Sequence, residues 1–181
     1  VDNLKELGIT DNVFLVGDIM YDATLKAIEN ISDIKSIGGV DLSANNLATC
    51  TVHRAENTDD EANLRQLMAF LNQQSETYDV VLPLHPRTSK ALKKFKIDTG
   101  RVTTIEPIGY YEMQALLNAS KMVFTDSGGL QKEAYFHQVP CVTLRNETEW
   151  VELISAGWNR LWTIPEFETP RHRIDEYGEG D

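Results

Sequence analysis

Short apolar runs, rich in β-branched and aromatic residues, alternate along this 181-residue chain with longer stretches of helical character. The runs predicted to be strands are 13–17, 47–52, 79–84, 102–107, 121–126 and 140–145. Helices are predicted at about 20–30, 58–77, 88–96, 110–119, 128–137 and 147–157. Strands that alternate with helices form parallel sheets through crossover connections. We therefore predict an α/β protein with a doubly wound, mostly parallel sheet.

The charge balance narrows the classes of partner. Acidic residues number 28 and basic residues 17, which gives a formal net charge of −11. Such a field repels nucleic acid and anionic lipid. No apolar stretch is long enough to cross a membrane and the N-terminus lacks a secretory signal, so we expect a cytoplasmic protein. Cys50 and Cys141 lie among apolar neighbours, and we interpret them as buried thiols rather than as a disulfide.

Polar segments follow most of the predicted strands, where open α/β sheets bind their ligands. These segments are "HRAENTDD", "HPRTS", "IGYYE", "SGGLQKEA" and "NETEWVE". The carboxyl ends of parallel strands share one edge of the sheet. Two histidines, two arginines, a Ser-Gly-Gly and several carboxylates are therefore predicted to converge there.

The segment "TDSGGLQKEA" at 125–134 predicts a strand that turns directly into a helix. Gly128 and Gly129 allow close approach of a ligand to a helix N-terminus, which favours phosphate. Glu133 is suited to accept hydrogen bonds from ribose hydroxyls. The simpler interpretation is a helix cap made by Asp126 or Ser127, with Glu133 exposed to solvent.

Histidine and arginine side chains follow three other predicted strands. His53 and Arg54 come after 47–52, His85 comes after 79–84, and Arg145 ends 140–145. Arginine binds phosphate through its bidentate fork, and histidine serves as a donor or general acid. The alternatives are a histidine satisfied at a strand end and a surface salt bridge for Arg145. The sequence shows no zinc-site spacing, Walker A loop, GxGxxG or GxSxG.

Taken in order, these segments resemble one enzyme family. "TVHRAEN", "LHPRT", "TDSGGLQKEA" and "LRNETEWVE" are similar to the four C-terminal motifs of UDP-N-acetylglucosamine 2-epimerases of the non-hydrolysing bacterial kind, and "VGDIMYDAT" resembles the start of that domain. The resemblance implies a Rossmann-like three-layer parallel sheet that forms one half of a GT-B architecture. It implies interconversion of UDP-GlcNAc and UDP-ManNAc, by elimination and re-addition of UDP, without NAD or a metal. This chemistry belongs to nucleotide-sugar metabolism for cell-surface polysaccharides.

The resemblance also implies roles for individual residues. Ser127, Gly128 and Gly129 would bind the diphosphate, and Glu133 the ribose. His53, the expected catalytic residue, and Arg145 would lie at the phosphates and assist departure of UDP. Arg54 and His85 would bind substrate or a second, regulatory UDP-GlcNAc. Met113 stands where the family often has an aromatic residue at the uracil, so stacking on the base is expected either to be weaker or to come from Tyr110 or Tyr111. Trp150, in "TEWVE", replaces the arginine of the family's "TERPE".

The resemblance implies that this chain is one part of a two-domain enzyme. Residues 1–170 are predicted to be the C-terminal UDP-binding domain, and 171–181 a polar tail leading to a further helix. In the family the carboxylates that move the C2 proton belong to the N-terminal domain, so we expect this chain alone to bind UDP weakly and catalyse nothing. The full-length protein is expected to be a homodimer. Other interpretations are a hydrolysing 2-epimerase that releases ManNAc, a GT-B glycosyltransferase half and a non-catalytic UDP-sugar-binding module.

Overall fold

A computed structural model describes residues 2–167 and 169–179 of the chain. The main sheet contains β3 (Leu47–Thr51), β4 (Asp79–Pro83), β5 (Thr103–Ile105), β6 (Met122–Thr125), β7 (Cys141–Thr143) and β8 (Asn159–Leu161). Its six strands are parallel and lie in the order β5-β4-β3-β6-β7-β8. A small antiparallel hairpin precedes it, formed by β1 (Ser36–Ile37) and β2 (Val40–Asp41). The predicted parallel α/β sheet is confirmed.

Helices connect the strands. They are α1 (Asp2–Glu6), α2 (Ile19–Ile28), α3 (Ala55–Thr58), α4 (Glu61–Gln74), α5 (Pro86–Phe95), α6 (Tyr110–Ala119), α7 (Gly128–Phe136) and α8 (Val151–Ser155), followed by a 3-10 helix at Asp175–Tyr177. One helix was predicted over 58–77. The structure has two instead, the one-turn helix α3 and the longer helix α4. Asp60 divides the two, because its side chain caps α4 by accepting a hydrogen bond from the Asn63 amide at 2.8 Å.

Helices cover both faces of the sheet. Cys50 and Phe124 pack with the apolar stripe of α4, which includes Leu64. Leu47, three residues before Cys50 in the same strand and on the opposite face, packs with Leu116 of α6. Successive strand residues point to opposite faces, and both sets are almost fully buried. The arrangement confirms the three-layer, Rossmann-like fold.

The prediction of a strand at 13–17 is wrong. These residues form no strand, and Phe14 and Val16 expose 76% and 88% of their surface. The sixth position in the sheet is filled by β8, which the sequence analysis missed. Strand propensity reflects packing on a half-buried surface, and the apolar 13–17 segment has no such surface among the described residues. The sequence of β8 lacks the apolar pattern of a buried strand, because Asn159 and Arg160 are polar although both are buried.

The segment after residue 170 also differs from expectation. Residues 171–179 do not leave the domain, because Ile174 and Tyr177 are buried against Phe136 of α7. The Tyr177 hydroxyl donates a hydrogen bond to Glu152 at 2.8 Å. The Ile174 amide also donates a hydrogen bond to the Tyr135 hydroxyl at 2.9 Å, so both apolar burial and hydrogen bonds hold this charged segment on the domain. The final residues of the predicted tail, 180–181, lie outside the described part of the chain, and the further helix stays a prediction.

The structure also tests the predictions for the two cysteines and for a membrane-spanning segment. Cys50 and Cys141 are free and buried, as predicted, and burial raises the pKa of both thiols. Within residues 2–167 and 169–179, none of the helices combines the length and apolar character needed to cross a bilayer.

Candidate functional site

The candidate site lies where the strand order reverses. Counted from β3, the order of the sheet is 3-2-1-4-5-6, the order of dinucleotide-binding folds, whose ligands bind in the crevice between the first and fourth strands. Those strands are β3 and β6, and Thr51 and Thr125 are paired at their carboxyl ends with their hydroxyl oxygens 2.6 Å apart. The "HRAEN" and "DSGG" segments therefore start side by side, as predicted.

Asp126 connects these two segments. Its fully buried carboxylate accepts hydrogen bonds from the backbone amides of His53 and Arg54, at 3.0 and 2.9 Å, and from the Asn57 side chain at 3.0 Å. A buried carboxylate is stable only when donors satisfy it in this way. Of the two proposed caps of α7, the structure assigns the role to Ser127, while Asp126 turns towards β3. The role of Asp126 in connecting the two segments was not predicted from the sequence.

The same carboxylate orients the His53 ring. Nδ1 of His53 lies 3.2 Å from Oδ1 of Asp126, so Nδ1 carries a proton and Nε2 is left for a ligand. The His85 ring is adjacent, with its centroid 5.5 Å from that of His53. Its Nδ1 accepts a hydrogen bond from the Arg87 amide at 3.1 Å, which leaves the proton of the neutral ring on Nε2. The two imidazoles thus present complementary groups, an acceptor on neutral His53 and a donor on His85.

Four predicted site residues line one cleft. His53, His85, Met113 and Ser127 surround a cavity of about 240 Å³, together with apolar residues that include Leu130. Tyr110 is not in its lining. A larger groove of about 600 Å³ lies between residues 28–43 and the second half of α6, but it contains none of the predicted site residues. The two histidines and Ser127 therefore belong to the smaller cleft.

Helix α7 begins at the edge of this cleft, and its two leading glycines differ. A side chain at Gly128 would collide with the Glu149 carboxylate. A Cβ at Gly129 would meet only the Met20 methyl group, at the ordinary contact distance of 3.6 Å. Because the Glu149 carboxylate is the movable end of a partly exposed side chain, packing constrains Gly128 only weakly, and the contacts of the described residues do not constrain Gly129.

The two predicted phosphate-binding arginines contact carboxylates instead. Arg145 donates to Glu149 at 2.6 Å and to Glu56 at 3.2 Å, and Arg54 lies 3.6 Å from Glu149. Burial acts to raise the pKa of Glu149, but hydrogen bonds and the charges of Arg145 and Arg54 outweigh it and lower that pKa. An anionic carboxylate therefore lies between both arginines and beside the first residue of α7. Glu149 was not among the predicted site residues.

Glu133 lies in the second turn of α7 and is half-buried. Its Oε1 accepts a hydrogen bond from Gln114 at 2.9 Å. Burial raises the pKa of the Glu133 carboxyl, and the Gln114 hydrogen bond only partly opposes this. Tyr110 is close enough that the Glu133 charge adds to burial in raising the tyrosine pKa. Glu133 and Tyr110 therefore form a second group, apart from the cleft lining.

Among the residues that the structure describes, no three His, Cys, Asp or Glu side chains are placed to hold a metal ion. A family model described as UDP-N-acetylglucosamine 2-epimerase matches residues 1–172. The chain belongs to this family. The match confirms the resemblance that the strand-end motifs predict.

Individual members of the family are also similar. A "UDP-N-acetylglucosamine 2-epimerase homolog" of Methanococcus maripaludis is 45% identical, over 88% of this chain and 46% of the relative. A "UDP-2,3-diacetamido-2,3-dideoxy-D-glucuronate 2-epimerase" of Pseudomonas aeruginosa is 42% identical, over 89% of this chain and 45% of the relative. The chain spans about half the length of the curated relatives it matches.

A solved structure agrees with these matches. The UDP-GlcNAc 2-epimerase of Methanocaldococcus jannaschii, solved in complex with UDP-GlcNAc and UDP, superposes with a TM-score of 0.82 at 28% identity. The match covers 99% of this chain and 55% of the solved one. It supports the prediction that this fold is one half of a GT-B architecture.

Proposed function

We propose that the intact protein is an isomerase that interconverts UDP-GlcNAc and UDP-ManNAc at C2, and that this chain supplies its UDP-binding half. One observation carries the proposal. Asp126 holds the His53 ring and the backbone of 53–54 against the start of α7. A histidine and a helix N-terminus therefore meet at one cleft, which is the chemistry that a departing diphosphate requires.

The reaction that we propose begins with elimination. C2 loses its proton, the C1–O bond breaks, and the electron pair forms a C1=C2 double bond as UDP departs. UDP then returns to C1 while a proton is added to the opposite face of C2. Neither step changes the net oxidation state of the molecule, so the proposed reaction needs no net hydride acceptor such as NAD.

We assign stabilisation of the departing UDP to groups of this chain. When His53 is protonated, its Nε2–H donates to a phosphate oxygen and the Asp126 carboxylate stabilises the positive ring. Ser127 and the first turn of α7 bind the diphosphate at the positive end of the helix. Arg54 and Arg145 add positive charge after the phosphate displaces Glu149 from them.

We assign the nucleoside to the groups beside this cleft. Glu133 binds the ribose hydroxyls, and Met113 forms an apolar wall for the uracil next to Tyr110. His85 is part of the same cleft as His53. That position favours a contact with this ligand over a separate regulatory site.

The C2 proton needs a different partner. The lining of the described cleft contains no aspartate or glutamate. We therefore assign proton transfer at C2 to carboxylates outside this chain, and we expect the isolated chain to bind UDP weakly without catalysis. Epimerisation by the isolated chain would contradict this assignment.

A second candidate substrate is UDP-2,3-diacetamido-2,3-dideoxy-D-glucuronate. The relative named for that substrate is 42% identical. Both substrates carry UDP at C1 and an acetamido group at C2, so the same elimination applies to each. They differ at C3 and C6, and a comparison of kcat/KM on the intact protein separates them.

The decisive experiment incubates the intact protein with UDP-GlcNAc in D₂O and follows the products by NMR. Deuterium at C2 together with UDP-ManNAc supports the proposal. Free ManNAc would indicate a hydrolysing enzyme. Transfer of the sugar to an added acceptor would indicate a glycosyltransferase. Binding of UDP-GlcNAc and of the second candidate substrate without turnover would indicate a non-catalytic module. His53→Gln should lower kcat by about 10²-fold or more. His172→Gln, at an exposed position outside the cleft lining, is the matched control and should retain activity.

A further inference from the structure

Three side chains form a continuous hydrogen-bonded row behind the proposed ribose site. Gln114 Nε2 donates to Glu133 Oε1 at 2.9 Å. On its other side, the Gln114 Oε1 lies 2.7 Å from Nε2 of His137. Gln114 has no exposed surface, so no water molecule from bulk solvent replaces either partner. The row therefore couples Glu133 to a residue at the far end of α7.

His137 determines which way the Gln114 amide faces. Its Nδ1 is buried and has no hydrogen-bond partner among the described residues. Burial lowers the pKa of His137 to about 4, so the ring is neutral near pH 7. A buried N–H without an acceptor is rarer than a buried acceptor without a donor, which places the single proton on Nε2. Gln114 then accepts through Oε1 and directs its NH₂ group at Glu133.

This contact restricts Glu133 itself. An amide donor held on Oε1 limits rotation of the carboxylate and leaves Oε2 for a ligand. A half-buried carboxylate without that donor would lose its hydrogen bond and the constraint on its direction. A binding group must be held within about 0.5 Å and 10–20° of its productive position, so a fixed carboxylate discriminates better than a mobile one.

We propose that Gln114 is a positioning residue that directs Glu133 at the ribose 2′-hydroxyl and so makes the site selective for ribonucleotides. The proposal rests on the assignment of Glu133 to ribose in the proposed function. His137 acts one step further away, by holding the Gln114 amide in the donating orientation.

The test compares UDP with dUDP, which lacks the 2′-hydroxyl, by calorimetric titration of the intact protein. Wild type should bind UDP about tenfold or more tightly than dUDP, as expected for a hydrogen bond to a charged group. Gln114→Met keeps the shape but removes the donor, and should reduce that ratio to about threefold or less. A purely structural effect would weaken both ligands equally and leave the ratio unchanged.

Each result has one meaning. If wild type discriminates and Gln114→Met retains the full ratio, the role of Gln114 is overturned while the ribose assignment stands. If wild type does not discriminate, the ribose assignment in the proposed function fails and the inference fails with it. His137→Leu is the second variant and decides the question if Gln114→Met does not fold. It should also reduce the ratio, and an unchanged ratio in a folded His137→Leu protein would contradict the proposal.

Discussion

Lys132 and Asp18 form an ion pair while only 8% and 13% of their side-chain surfaces remain exposed. The pair joins α7, which begins at the candidate site, to the start of α2. Asp18 also caps α2 by accepting a hydrogen bond from the Met20 amide at 2.9 Å. The Lys132 ammonium lies 4.5 Å from the centre of the Trp150 ring. Asp18 therefore serves as both a counterion and a helix cap.

Asp18→Asn should destabilise the protein strongly. The asparagine still caps α2, but it leaves the buried Lys132 charge without a counterion, which costs about 3–5 kcal/mol. Chemical denaturation measures the free energy of unfolding. Asp22→Asn, in the first turn of the same helix, is the control and should change it by less than about 0.5 kcal/mol. The double variant Asp18→Asn with Lys132→Met should recover much of the loss, and a double variant less stable than Asp18→Asn would contradict the explanation.

Glu149→Gln should strengthen UDP binding. The Glu149 carboxylate is paired with Arg145 and Arg54, and a phosphate that binds these arginines must displace it. Partly exposed ion pairs contribute about 0.2–1 kcal/mol, so we expect the Kd for UDP to fall by up to about fivefold. Calorimetry at two salt concentrations checks this, with the neighbouring Glu147→Gln as control. Weaker binding by Glu149→Gln would show that Glu149 instead holds the arginines in their binding orientation.

Gly129→Ala should separate stability from binding. The new methyl group would contact only Met20, and alanine is favoured over glycine in a helix by about 0.5–1 kcal/mol. The free energy of unfolding should therefore stay the same or rise. UDP should nevertheless bind about tenfold more weakly, because the methyl group blocks close approach of phosphate to the first turn of α7. Unchanged affinity in this stable variant would exclude a phosphate at this turn.

The affinity for UDP should depend on the ionisation of Glu133. Burial raises the Glu133 pKa above the ordinary 4.5, and the carboxylate is a stronger hydrogen-bond acceptor for a ribose hydroxyl than the protonated carboxyl group is. Affinity should accordingly decline on acidification at a higher pH than for an ordinary glutamate. UDP titrations of Glu133→Gln over the same pH range measure the effect of protonating the phosphate of UDP itself. The difference between the wild-type and Glu133→Gln affinity profiles then gives the effect of protonating Glu133. Identical profiles would contradict a ribose contact.

The raised pKa also has a consequence for stability. A carboxyl group with a raised folded-state pKa contributes most stability below its unfolded pKa and loses that contribution as pH rises through the folded value. Glu133→Gln should therefore be at least as stable as wild type at pH 7. A large loss of stability would show that the Glu133 charge is compensated by partners other than Gln114.

The local pattern of the sequence was sufficient for five of the six strands of the main sheet and for the edge at which the site lies. Strand runs such as 47–52 and 121–126 end in polar segments, and parallel strands bring their carboxyl ends to one edge whatever the detailed packing. His53, His85 and Ser127 were predictable for this reason. The failure at 13–17 has the converse cause, since an apolar run becomes a strand only where a neighbouring strand offers hydrogen bonds.

Tertiary structure alone decided which groups pair. Asp126 and His53 are separated by 73 positions in the chain, and Glu149 meets Arg54 across a comparable separation. Gln114 and Glu133 lie on different helices, α6 and α7, which adjoin only in the folded domain. Hydrogen bonds and ion pairs act over a few ångströms, so their partners depend on the packed geometry. The sequence alone determined the layers, the edge and the chemical character of the site, while folding determined the direction of each carboxylate within it.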